Sequence, residues 1–151
     1  MKKFLILSLC FLLSLTCVRA SLPLTGKTIV LDIGHGGDDP GTSYQNVLEK
    51  DLNLAIGLEL ESELSKNGAS VILTREGDYD LASPNANRRK KSDFDNRIDL
   101  INNSNANIYL SIHINYLENN SYYGGQIFYY GEENKKLAED LQSQFNKISY
   151  P

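Results

Sequence analysis

The stretch from Lys27 to Gly41 constrains the fold more than any other part of the chain. KTIVLDI, from Lys27 to Ile33, is a β-branched, apolar run that stops dead at Gly34, and a run so short and so rich in Val and Ile suits a buried strand. GHGGDDPG, from Gly34 to Gly41, follows with four glycines and a proline, a composition that forbids regular structure and forces a tight loop. Beyond the loop, Leu48, Leu52, Ile56, Leu60 and Leu64 recur every fourth residue, with Ala55 beside them, until Asn67-Gly68. That period and that stop predict a helix beginning near Leu48 or Glu49, with the leucines as its buried stripe. Ala69 to Thr74 (ASVILT) then repeats the strand signature. Strand, helix, strand in this order implies a parallel pair joined by a crossover, so the fold class is α/β: a three-layer, mostly parallel, twisted sheet flanked by helices.

The rest of the chain extends the same pattern. Residues 76 to 91 (EGDYDLASPNANRRKK) are polar and broken by Gly77 and Pro84, which reads as a surface excursion. Its basic run, Arg88 to Lys91, reads as a solvated loop, with a contact for acidic stem peptides or a partner protein as the sharper alternative. A second helix is expected to be capped by Ser92, with Asp95 reaching back and Phe94, Ile98 and Ile101 buried. Asn107 to Ile114 (NIYLSIHI) reads as a third strand and Gly125 to Tyr130 (GQIFYY) as a fourth, while Leu137, Leu141, Phe145 and Ile148 mark a last amphipathic helix. The sheet is expected to be incomplete at its C-terminal side.

Residues 1–20 stand apart from this pattern. Lys2 and Lys3 precede an unbroken apolar run from Phe4 to Leu15, and Val18-Arg19-Ala20 offers small residues for cleavage. This is a signal-peptide pattern with processing after Ala20, and the alternative is an uncleaved N-terminal anchor. Residues 21–151 are then the folded part, one domain with a single core, expected to be exported and to work outside the cytoplasm as a monomer. Both cysteines, Cys10 and Cys17, fall in the leader, which excludes disulfides and thiolate metal sites from the exported part. Loss of Lys2, Lys3 and Arg19 leaves twelve basic residues against nineteen acidic ones, a net charge of −7, so nucleic acid is not an expected partner.

Three residues carry the chemistry. His35 stands just past the first strand and His113 near the end of the third, and these are the histidines of the whole sequence; parallel sheets build their sites at such carboxyl ends. Glu49 opens the first helix fourteen residues after His35. Two imidazoles and a carboxylate match a catalytic zinc set, three protein ligands with a fourth position for water. Each residue also has an ordinary role: a histidine near a strand end is often structural, and an acid in the first helical turn suits the dipole. The glycine loop as a phosphate cradle is a further alternative, although it lacks the lysine and the spacing of a nucleotide loop.

IVLDIGHGG (29 to 37), LEKDLNLAIGLEL (48 to 60), VILTRE (71 to 76), RIDLIN (97 to 102) and SIHIN (111 to 115) resemble, in order and spacing, the zinc-dependent N-acetylmuramoyl-L-alanine amidases. The resemblance runs over about residues 24 to 131. It implies Zn²⁺ as cofactor, with His35, Glu49 and His113 as its ligands, and peptidoglycan as substrate, cut between N-acetylmuramic acid and L-alanine. Ile33 departs from the family, which commonly has proline there. SLPLTGK, TREGDYDLA and QIFYYG resemble the sporulation branch, whose products lead to muramic lactam in the spore cortex. Another wall-directed zinc peptidase or deacetylase, or a zinc-holding fragment or binding module, would use the same three ligands.

Further roles follow from the chemistry of such a site. Asp32 and Asn115 are candidates for orienting the histidines or for bonding substrate, since metal-bound imidazoles need a partner; capping of strand ends is the ordinary reading of both. Tyr122, Tyr123, Tyr129 and Tyr130 are candidates for stacking on sugars, or for packing. The resemblance assigns general acid and base work to a second glutamate on a strand nearer the C-terminus of the family domain, and no segment here matches it, so the catalytic residue is unknown. Glu118, Glu132 and Glu133 are poor substitutes by position. The chain is therefore expected to bind zinc and to hydrolyse its substrate weakly.

Overall fold

A computed structural model describes residues 21–117, 121 and 123–148. The leader at 1–20, Glu118 and Tyr122 lie outside the described residues. The chain divides into two compact units, one ending at Asn115 and the other beginning at Tyr116. Among the described residues no helix is long and apolar enough to cross a membrane.

The first unit is built on strand β1 (Thr28–Ile33), which lies between β4 (Ser70–Leu73) and β5 (Ile108–Ile112) and is parallel to both. Leu31 is in register with Leu73 on one side and Leu110 on the other, and Ile33 pairs with Ile112. Ile29, Val30, Leu31 and Ile33 are all at most 2% exposed, as befits a central parallel strand covered on both faces. Helix α1 (Glu49–Lys66) covers one face: a side chain placed on Gly57 would meet the Ile33 Cδ1 atom at 2.6 Å and Ile112 Cδ1 at 3.7 Å. Asp32 points to the opposite face, because successive strand residues alternate, and there it meets Arg97 of helix α2 (Arg89–Asn103). Helix, sheet and helix make the three layers expected.

The faces that the two helices bury differ from expectation. On α1 the buried residues are Glu49, Asn53 and Gly57, while Leu52 and Ile56 of the predicted stripe are exposed. The seam lies one position round the helix because the sheet comes too close to admit a side chain at 57, and Leu60 and Leu64 flank it half-buried. α2 starts at Arg89, three residues before the expected cap, and Ser92 Oγ instead accepts a hydrogen bond from Ser83 N at 3.0 Å. Its buried residues are Asp93 and Arg97. Phe94 is 62% exposed and Ile98 38%, and with Ile101, Tyr109 and Asp32 they line an open cavity of about 200 Å³. A buried carboxylate on β1 demanded a cation opposite it, which turned the polar face inward.

A two-residue hairpin not anticipated from the sequence, β2 (Ser43–Tyr44) with β3 (Val47–Leu48), returns the chain from the glycine loop to α1 through Gln45 at φ 54°. In the second unit, residues 125–130 form no strand. Ile127 N donates to Gln142 Oε1, and Gln142 Nε2 donates to Gly125 O, so one glutamine of helix α3 (Glu132–Phe145) takes the bonds a ladder would have used. Ala138 is the buried residue of α3; Leu141 and Phe145 are half-buried, and Leu137 and Ile148 are exposed.

Candidate metal centre

Two strand ends and one helix start converge on a small space. His35 follows β1 after Gly34, in the left-handed region at φ 62°, a conformation that costs a non-glycine residue energy and recurs at functional sites. His113 follows β5. Glu49 is the first residue of α1 and 7% exposed, tied to the glycine loop by Glu49 N to Thr42 O (2.9 Å) and Lys50 N to Pro40 O (3.1 Å). Glu49 Oε2 lies 3.2 Å from His35 Nε2, and Glu49 Oε1 lies 3.0 Å from His113 Nδ1. The two rings meet edge to face, with centroids 4.9 Å apart.

These donors fit a metal ion. One atom from each of His35, Glu49 and His113 can be chosen so that all lie within 4.8 Å of one another, and a tetrahedral ion with bonds of about 2.1 Å holds its donors about 3.4 Å apart. Glycines make that approach feasible. A Cβ on Gly34 would fall 2.5 to 2.8 Å from three atoms of the His113 ring, and one on Gly41 would fall 2.5 Å from Glu49 Oε2 and 2.6 Å from His35 Cδ2. Burial works to raise the Glu49 carboxyl, yet hydrogen bonds from Thr42 N, His113 and Ile114 N outweigh it and hold the group below the usual carboxylate range. The donor set is thus anionic, which suits a cation.

The frame around the three residues is largely polar. Arg75 is 1% exposed, and its guanidinium donates to four carbonyls: Ile33 (3.0 Å), Gly34 (3.0 Å), Lys50 (2.7 Å) and Gly77 (2.9 Å). Arg97 adds bonds to Ile33 O and His35 O, both 2.8 Å. Together they fix the carbonyls of the turn that presents His35, groups that cannot stay unpaired when buried. Asn53 Nδ2 donates to Gly34 O at 3.1 Å and reaches Glu49 Oε1 at 3.5 Å.

Of the other residues singled out in the sequence, Asp32 takes a different place. Its carboxylate accepts from Arg97, Thr74, Ser111 and Tyr109, and burial is again outweighed, chiefly by Arg97, so the group stays below its usual range. The acid at His35 is Asp39, whose Oδ2 lies 2.9 Å from Nδ1 of that ring. Burial tends to raise Asp39, but bonds from His35, Lys90 and Gly41 N bring it down to about 2. Asn115 is exposed two residues past His113. In the second unit, Tyr123, Tyr129 and Tyr130 are exposed, and Glu132 and Glu133 open α3. Within the basic run, Arg89 holds Asp80 and Asp38, Lys90 reaches Asp39 and Lys91 pairs with Asp95. Asp39, Arg75, Arg97 and Asn53 were missed as functional residues, although the i, i+4 spacing of Asp39 from His35 was there to be read.

Residues 29–149 match the N-acetylmuramoyl-L-alanine amidase family. The chain is 44% identical over 132 residues to the germination-specific N-acetylmuramoyl-L-alanine amidase of Bacillus subtilis, covering 84% of this chain and 56% of that protein. It is 38% identical over 129 residues to a probable cell wall amidase, LytH, of Staphylococcus aureus, covering 83% and 38%. Among solved structures it resembles the CwlD amidase of Clostridioides difficile in complex with the GerS lipoprotein, with a TM-score of 0.76, 41% identity and coverage of 81% and 66%. AmiC2 of Nostoc punctiforme, an N-acetylmuramoyl-L-alanine amidase, follows with a TM-score of 0.65, 28% identity and coverage of 83% and 67%. The chain spans a little over half the length of the germination-specific relative.

Proposed function

The chain belongs to the N-acetylmuramoyl-L-alanine amidase family, and from that premise we propose that His35, Glu49 and His113 hold a Zn²⁺ ion for hydrolysis of the amide between N-acetylmuramic acid and L-alanine in peptidoglycan. The convergence of those three donors within 4.8 Å carries the reading. Zinc bound there supplies Lewis acidity toward the amide carbonyl and a water whose pKa falls to about 7. The protein's own part is to hold the donors: Arg75 and Arg97 fix the turn, Asn53 and the backbone N–H groups of Thr42 and Ile114 fix Glu49, and glycines at 34 and 41 leave the space.

Proton transfer in such hydrolysis contributes about 10²- to 10⁴-fold and needs a free acid or base near the metal. Among the described residues, the carboxylate bonded to a site histidine besides Glu49 is Asp39, and it is committed to His35, Lys90 and Gly41. The 151-residue chain is therefore expected to bind zinc and to release stem peptides slowly. The relatives' names support action on the wall, outside the cytoplasm, and the germination-specific one supports a role in the spore cortex. The relative solved with a lipoprotein supports a partner protein for this chain too.

Metal analysis of purified protein should give about one zinc per chain, reduced sharply in His35→Ala and His113→Ala; unchanged content in both would sink the site. Product analysis on purified sacculi separates an amidase, which frees L-alanine-terminated stems, from a peptidase or deacetylase. Strong release by this chain, abolished by Glu118→Gln, would place the base inside the sequence and overturn the slow-hydrolysis expectation.

A further inference from the structure

The start of α2 reaches over the glycine loop. Lys90 Nζ lies 3.1 Å from Asp39 Oδ2, the oxygen that also faces His35 Nδ1 at 2.9 Å. The second oxygen of Asp39 accepts from Gly41 N at 3.3 Å, and the backbones of Gly36 and Asp39 exchange two hydrogen bonds of 3.0 and 3.1 Å. Asp39 is thus built into the loop at a fixed distance from the ring. Next to it, Arg89 makes two 2.8 Å bonds to Asp80 and lies 3.2 Å from Asp38, which ties the same helical turn to the loop a second time.

We infer that Asp39 and Lys90 are a positioning pair for His35: Asp39 keeps the ring proton on Nδ1, so that Nε2 offers its lone pair toward Glu49 and the metal, and Lys90 holds Asp39 in place. The inference rests on the metal reading above. A neutral imidazole carries its proton on either nitrogen, and the hydrogen bond at one decides which atom is free to ligate. Nδ1 faces Asp39 Oδ2 at 2.9 Å, closer than the 3.2 Å at which Nε2 faces Glu49 Oε2, and a metal that takes the Nε2 lone pair leaves Nδ1 to carry the proton. Lys90 is 79% exposed in its side chain, so its share is small and sensitive to salt. The basic run that reads as a solvated loop in sequence thereby acts on the metal centre through a single carboxylate.

The test uses the chain with ¹⁵N-labelled histidine, first stripped of metal and then titrated with zinc against a chelator of known affinity. Two-bond ¹H–¹⁵N spectra of the stripped protein should show His35 as the Nδ1–H tautomer, and Asp39→Ala should lose that preference. Zinc affinity should fall about 10- to 100-fold in Asp39→Ala, the usual cost of losing such a partner, and roughly two- to five-fold in Lys90→Met, the effect of an exposed ion pair. Asp39→Asn retains an acceptor and should restore the tautomer and part of the affinity. Lys90→Met should cost nothing further in the Asp39→Ala background, and added salt should close its gap to wild type. Unaltered tautomer and affinity in Asp39→Ala would overturn the inference, and additive losses would remove Lys90 from it. If Asp39→Ala does not fold, Asp39→Asn and Lys90→Met decide. A wild-type chain that takes up no zinc would refute the metal reading, whereas the tautomer in stripped protein would still judge Asp39.

Discussion

Replacing Asp32 should cost stability in a way that depends on pH. Asp32 is 7% exposed and its carboxylate accepts four side-chain hydrogen bonds, from Arg97 Nη1 (2.7 Å), Thr74 Oγ1 (3.1 Å), Ser111 Oγ (2.9 Å) and Tyr109 Oη (3.2 Å). Asp32→Asn keeps an acceptor for Arg97, and the three hydroxyls can turn to suit an amide, so the loss is that of charge. A charge-assisted bond contributes about 1.5 to 3 kcal/mol against about 1 for a neutral one, which gives a cost of about 0.5 to 2 kcal/mol at pH 7. Asp32→Ala should cost about 3 kcal/mol, the low end for breaking a buried pair, because Arg97 keeps Asp93 at 3.0 Å. The sign with pH follows from the depressed carboxyl: its stabilisation is complete above the ordinary value of 3.8 and is lost as pH falls through the lower folded value. Urea unfolding followed by circular dichroism at pH 7, 5, 3 and 2 should therefore show the gap between wild type and Asp32→Asn constant from 7 to 5 and narrowing at and below 3. A gap absent at pH 7, or unchanged down to pH 2, would refute the charge pairing as the source.

Gly34→Ala should lower zinc affinity at least about tenfold, by pushing the His113 ring that a Cβ would overlap at 2.5 Å, with the far-ultraviolet dichroism spectrum retained; unchanged affinity in a chelator competition would show that the ring has room to move. Gly41→Ala should do the same and also lose about 1 kcal/mol, since Gly41 sits at φ +68°, a cost that urea unfolding reads. Arg75→Lys should destabilise the chain by about 2 to 4 kcal/mol, because one ammonium cannot satisfy four buried carbonyls; a midpoint equal to wild type in the same assay would contradict that accounting. N-terminal sequencing of secreted protein should begin at Ser21, and full-length protein in the membrane would favour the anchor.

The sheet was legible because its signal is simple. KTIVLDI, ASVILT and NIYLSIHI are short apolar runs with breaks at both ends, and the structure makes strands of all three in one parallel sheet. The helices were legible as elements but not as faces. Periodicity finds Leu52 and Ile56, yet what faces the sheet is set by how near the helix can come, and Gly57 permits an approach that a stripe of large apolar side chains would prevent. GQIFYY fails for another reason: its apolar, aromatic composition is that of a strand, but a strand exists only with a partner, and its backbone bonds go to Gln142 instead.

The histidines and Glu49 stood out because two histidines in a whole chain, both at strand ends, leave few ways to be coincidental. Their frame did not stand out, and the physical reason is general to glycine loops. A loop of glycines has no side chains with which to pack itself, while its close approach to the sheet buries carbonyls that must be paired. Donors have to come from elsewhere, and the guanidinium, a rigid fork of five N–H groups, is the group that pairs several carbonyls from one position. Arg75 spans Ile33, Gly34, Lys50 and Gly77, and Arg97 spans Ile33 and His35 while its charge is met by Asp32 and Asp93. Reading by hydropathy assigns such residues to solvent, which is why RIDLIN promised a helix buried through its isoleucines and delivered one buried through its arginine. In this fold the polar residues at helical spacing, 49 with 53 and 93 with 97, mark the inward faces, because what those faces must satisfy is a buried site of charges and carbonyls.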